Sequence, residues 1–144
     1  NLILAAPDLD LQVSAERIIG DQLSLSADRL TVYTSPKDKA IGVAAKLFAS
    51  PRGRLGTFGA DEVPESLRVA MDYSGANVAI VNFPATSYEG DRYGHSYFRD
   101  APSVSSDLVL MLRDDLDPGP PGRPLESLGR KFWRVPPDYP AVQP

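Results

Sequence analysis

The chain has 144 residues, of which 42% are apolar and 24% charged, a size and composition suited to one globular domain with a core of its own. Fifteen basic and nineteen acidic residues leave a net charge of −4 without a basic stripe, which argues against a nucleic-acid partner. No apolar run reaches the roughly 20 residues that span a bilayer. The lack of cysteine excludes disulfides, thiol catalysis and thiolate metal sites, and one histidine makes a zinc site of the usual kind unexpected.

Leu2-Ile-Leu-Ala-Ala6 is wholly apolar and is stopped by Pro7, as suits a strand covered on both faces. Asp8 and Asp10 follow as candidate helix caps. Leu11, Ala15, Ile18, Ile19 and Leu23 then recur at roughly helical spacing, although Gly20 weakens that helix by about 1 kcal/mol relative to alanine. Leu30 to Thr34 is β-branched, aromatic or aliphatic and predicts a second strand. Ser35-Pro36-Lys37-Asp38 reads as a helix start, with Ser35 as cap and Asp38 three residues on, and a helix from Ala40 to Phe48 that turns Ile41, Ala44, Ala45 and Phe48 to one side.

Ser50 to Gly59 is a glycine-rich loop without the spacing of a phosphate cradle. A short helix is predicted around Glu65 to Met71 and a third strand over Asn77 to Phe83. Ala85 to Pro102 is a polar, aromatic loop carrying His95. Ser103 or Ser105 then caps a last helix with Val104, Leu108, Met111 and Leu112 inward, and Asp107, Asp114, Asp115 and Asp117 form a solvated face. Eight of the fourteen prolines fall in residues 117–144, which predicts an extended tail without regular structure over much of its length, docked through Lys131-Phe-Trp-Arg134.

Strand and helix alternate three times, the pattern of a parallel α/β sheet with right-handed crossovers. The organisation expected is residues 1–116 as the sheet domain and residues 117–144 as the proline-rich tail. The chain opens directly in an apolar strand, an edge that proteins avoid exposing, so the sequence is expected to be part of a larger unit.

Asp38 follows the second strand and His95 the third. A carboxylate that orients an imidazole is half of a Ser-His-Asp triad, and beyond the carboxyl ends of the strands is where such groups gather. The bland alternatives are a helix-capping acid and a solvated loop histidine. The nucleophile elbow Gly-x-Ser-x-Gly does not occur in the 144 residues.

Asn1-Leu-Ile-Leu-Ala-Ala-Pro-Asp-Leu-Asp10, Thr31-Val-Tyr-Thr-Ser-Pro-Lys-Asp-Lys-Ala-Ile41, Arg54-Leu-Gly56 and Gly94-His-Ser-Tyr-Phe98 occur in that order. Together, over residues 1 to about 112, they resemble the C-terminal half of a bacterial α/β-hydrolase family, esterase- or lipase-like and catalogued as a domain of unknown function. The resemblance implies that the three strands are the last three of an eight-stranded sheet, with Asp38 as triad acid and His95 as triad base. It implies a serine hydrolase of carboxylic esters or lipids whose Ser and oxyanion hole lie on an absent N-terminal half. Asp8 is the reserve choice for the acid. No cofactor or metal is implied. The expected partners are that N-terminal half or a second copy of the chain, besides a small ester or lipid substrate. The alternative function is a non-catalytic interaction domain presenting the Ala85 to Pro102 loop and the tail.

Overall fold

The computed structural model describes residues 1–21, 26–47, 53–59, 62–63, 65–73, 75, 77–84 and 92–140. Phe48, Tyr88 and the 85–91 part of the aromatic loop lie outside the described residues, as do the side chains of Ile19, Ala44 and Ala45.

Three parallel strands form where the apolar runs predict them: β1 (Leu2–Ala5), β2 (Leu30–Thr34) and β3 (Val78–Asn82). β2 lies between the other two, with Leu2 opposite Leu30 and Leu30 opposite Val78. Every residue of β2 and β3 is buried, so both faces are covered, as suits strands this rich in apolar and β-branched residues.

The tail corrects the three-strand expectation. β4 (Glu126–Ser127) and β5 (Phe132–Arg134) extend the sheet to the order β1-β2-β3-β5-β4. β5 runs parallel to β3, with Ile80 opposite Phe132, and β4 runs antiparallel to β5. Of Lys131 to Arg134, Phe132–Arg134 is thus a strand of the sheet rather than a surface anchor, and the Phe132 side chain is core, 2% exposed. Proline density concealed this because the strand itself holds none; the prolines flank it.

Strand alternation divides the core in two. Leu30, Val32, Ile80 and Phe132 face one side, with Met71 of α3 (Glu65–Tyr73) and Ile18. Tyr33, Val81 and Phe83 face the other, with Val104 and Met111 of α5 (Pro102–Asp114). Asp10 caps α1 (Leu11–Ala15), taking the Gln12 and Val13 amides at 3.0 and 3.1 Å. The chain then widens into a π-helical turn over Glu16–Gly20, closed by the Asp21 amide on the Glu16 carbonyl.

Two expectations for α5 are corrected. Its first residue is Pro102, placed where a missing amide costs nothing, and neither Ser103 nor Ser105 caps it. Asp107 is not solvated. It lies on the inner stripe with Val104 and Met111, while Leu112, one residue round from Met111, is 60% exposed.

The burial of Asp107 is possible because the tail brings a countercharge. Arg123, wholly buried, donates from Nε and Nη2 to the two Asp107 oxygens at 2.8 Å each. The hydroxyls of Tyr33 and Tyr139 donate to the same carboxylate at 2.6 Å. Burial alone would weaken the proton affinity of the Arg123 guanidinium, but the hydrogen bond and charge of Asp107 raise it on balance. Further ties come from Arg130 to Glu65 and Asp72, and from the Arg68 guanidinium 4.3 Å over the Phe132 ring.

Candidate active site

The carboxyl ends of β1, β2 and β3 lie side by side, and residues 53–59 cross them as a strap. The Leu55 amide donates to the Leu9 carbonyl at 2.8 Å, the Gly56 amide to Pro7 at 3.0 Å, and the Ser35 amide to Gly56 at 2.8 Å. Asn82 Nδ2 reaches the Phe58 carbonyl at 3.3 Å. Position 56 has to be glycine: a Cβ there would stand 2.8 Å from the Pro7 carbonyl oxygen and 2.5 Å from Ile41 Cδ1.

Beyond β2, Ser35 to Asp38 is a tight turn closed by the Asp38 amide on the Ser35 carbonyl at 3.1 Å. α2 (Lys39–Leu47) begins after it. The cap is Asp38 rather than Ser35, since Asp38 Oδ1 accepts the Ile41 amide at 3.1 Å. Proline at 36 holds the turn and leaves Asp38 to satisfy the helix end.

The second oxygen of that carboxylate meets His95. Nδ1 lies 2.7 Å from Asp38 Oδ2, the acid fully enclosed and the imidazole 45% exposed. An ionised carboxylate only accepts, so this contact fixes the proton on Nδ1. The capping and histidine-holding readings of Asp38 are therefore compatible, one oxygen serving each.

His95 precedes α4 (Tyr97–Asp100), a short helix absent from the sequence reading. Before it, the Lys39 amide donates to the Tyr93 carbonyl at 2.7 Å, fastening the histidine segment to the start of α2. Gly94 has φ of +66°, and a Cβ there would lie 2.8 Å from the Lys37 carbonyl oxygen. Only glycine lets the two loops close this far.

Asp8, the reserve acid, pairs instead with Arg54, Oδ1 to Nη1 at 3.3 Å. Of the aromatic side chains in the Ala85 to Pro102 loop, Tyr93 is exposed, whereas Tyr97 is core and Phe98 meets the His95 ring edge-on at 6.0 Å between centroids. Among the described residues no group of three His, Asp or Glu side chains is arranged to hold a metal ion.

No curated protein and no solved structure matches the chain. A family described as alpha/beta hydrolase of unknown function (DUF900) matches residues 1–113, ending in the last turn of α5, and the chain belongs to that family.

Proposed function

We propose that this chain supplies the acid and the histidine of a serine hydrolase acting on carboxylic esters or lipids. The observation that carries the reading is the 2.7 Å contact between His95 Nδ1 and Asp38 Oδ2 at the carboxyl ends of the strands. Membership of an alpha/beta hydrolase family supports a hydrolase in general. In the proposed reaction His95 Nε2 takes the proton of a serine hydroxyl as its oxygen attacks the ester carbonyl, and returns that proton to the departing alkoxide. Water then repeats the sequence on the acyl-enzyme. Asp38 holds the Nδ1–H tautomer throughout and stabilises the imidazolium.

The Ser and oxyanion hole are proposed to lie on polypeptide outside these residues, in the N-terminal half of the same fold; a second copy of the chain is the alternative partner for the β1 edge alone. Among the described residues β1 pairs only with β2, and Leu9 and Val13, each 47% exposed, line a cavity together with Leu4 of β1. An apolar strand edge of this kind is suited to further pairing.

A serine-reactive fluorophosphonate tests the reading. The expected result is labelling of a Gly-x-Ser-x-Gly serine in the full-length or reconstituted protein, lost in His95→Ala with folding nearly intact. Absence of labelling in every preparation would favour a binding module.

A further inference from the structure

An imidazole that is nearly half exposed is held only in part by packing, so the placement of its backbone matters. The Tyr93 carbonyl fastens the segment on one side. On the other, Tyr97 is fully buried, and its hydroxyl donates to the Tyr33 carbonyl at 3.0 Å. The same carbonyl oxygen accepts the Ala6 amide at 3.2 Å, so it gathers the ends of β1 and β2 and the histidine segment at one point. The Tyr97 ring stacks on Phe83, with centroids 5.5 Å apart and planes 10° from parallel. Phe98 stands edge-on to both Tyr97 and His95.

Tyr33 belongs to the strand whose following turn carries Asp38. A strut from Tyr97 to Tyr33 therefore fixes the imidazole relative to the element that bears its carboxylate. Burial pushes the Tyr97 phenol far up from its ordinary value, and the Asp38 charge adds to this, so the hydroxyl remains a donor.

We propose that Tyr97 is the positioning residue of the Asp38–His95 pair, its hydroxyl bond to the Tyr33 carbonyl holding the first turn of α4 on β2 and so the imidazole on the carboxylate. The proposal rests on the reading of Asp38 and His95 as a catalytic pair.

His95 is the chain's single histidine, so its downfield Nδ1–H resonance in proton NMR is unambiguous. In Tyr97→Phe, which keeps the ring, exchange of that proton with water should accelerate at least about tenfold through more frequent local opening. Phe132→Leu, in the cluster on the opposite face, should lower global stability yet leave the exchange rate unaltered. An unchanged rate in Tyr97→Phe, or an equal acceleration in Phe132→Leu, overturns the positioning role. If Tyr97→Phe does not fold, the wild-type chain decides. The Nδ1 proton and the Ala101 amide, which bonds the Tyr97 carbonyl at 3.0 Å, should then share one urea dependence of exchange. Different dependences overturn the proposal. Persistence of the resonance in Asp38→Asn would instead remove the pair itself, and with it the hydrolase reading.

Discussion

His95 Nδ1 stands 2.7 Å from Asp38 Oδ2 while Asp38 Oδ1 takes the Ile41 amide, so one buried side chain caps a helix and holds an imidazole. The two duties separate by substitution. Asp38→Asn keeps an oxygen for the cap but loses the charge that stabilises an imidazolium. Ester turnover in the full-length or reconstituted protein should fall by up to about 10⁴-fold, with the urea midpoint nearly unchanged. Asp38→Ala should lose about 1 kcal/mol of stability as well, the ordinary worth of an N-cap. Normal turnover in Asp38→Asn together with loss in Asp8→Asn would transfer the acid to the loop after β1.

A second prediction concerns the buried pair under α5. Arg123→Met leaves the Asp107 carboxylate enclosed with two tyrosine hydroxyls but no countercharge. Removing one partner of a buried pair costs about 3–5 kcal/mol, far more than the net worth of the pair itself. Urea unfolding should show a loss of that size. A loss below about 1 kcal/mol, the scale of a surface ion pair, would mean that the tail is not built into the domain as described.

What the sequence displayed clearly was periodicity. Leu2 to Ala6 is wholly apolar, Leu30 to Thr34 and Asn77 to Phe83 are mostly apolar or β-branched, and each contains a strand with boundaries shifted by at most a residue. The Asp38 and His95 neighbourhood was legible because both follow strand ends, where a parallel sheet brings loops together. Composition misled where it averaged over unlike pieces: the prolines of residues 117–144 masked the short strand Phe132–Arg134 between them. Asp107 was misplaced because its partner lies 16 residues on in the tail, and no local pattern announces an Arg that turns inward. The Tyr97 strut was hidden for the same reason, its acceptor lying 64 residues away.

Alkaline pH should weaken the fold through three tyrosines. Burial, before any charge effect, raises the phenols of Tyr33, Tyr97 and Tyr139 above their ordinary value of 10.0. Above about pH 10 the unfolded chain releases these protons while the native state keeps them. Their contribution is therefore complete below that pH and is lost as pH climbs toward the folded values. Each phenol contributes a slope of about 1.4 kcal/mol per pH unit in that range. Urea midpoints should change little from about pH 9 to 10 and fall steeply above about pH 10. Tyr139→Phe should shed one phenol's share of the slope; an unaltered slope would show that Tyr139 does not remain protonated within the fold.

The last prediction concerns the outer edge of β1. The Leu2 and Ala6 amides donate toward β2, to the Arg29 and Tyr33 carbonyls at 2.8 and 3.2 Å. Because alternate amides of a strand point in opposite directions, those of Ile3 and Ala5 face the open edge. Hydrogen exchange in the chain alone should therefore alternate, with Leu4 protected and Ile3 and Ala5 fast. Addition of the proposed N-terminal half should slow Ile3 and Ala5 selectively, since a parallel strand laid on that edge would accept both protons. It should also cover Leu9 and Val13, whose exposed side chains line a cavity with Leu4 of β1. Slow exchange at Ile3 and Ala5 in a sample proved monomeric and free of other polypeptide would mean that the edge is already satisfied within the chain, and the proposal of a completing half would have to be abandoned.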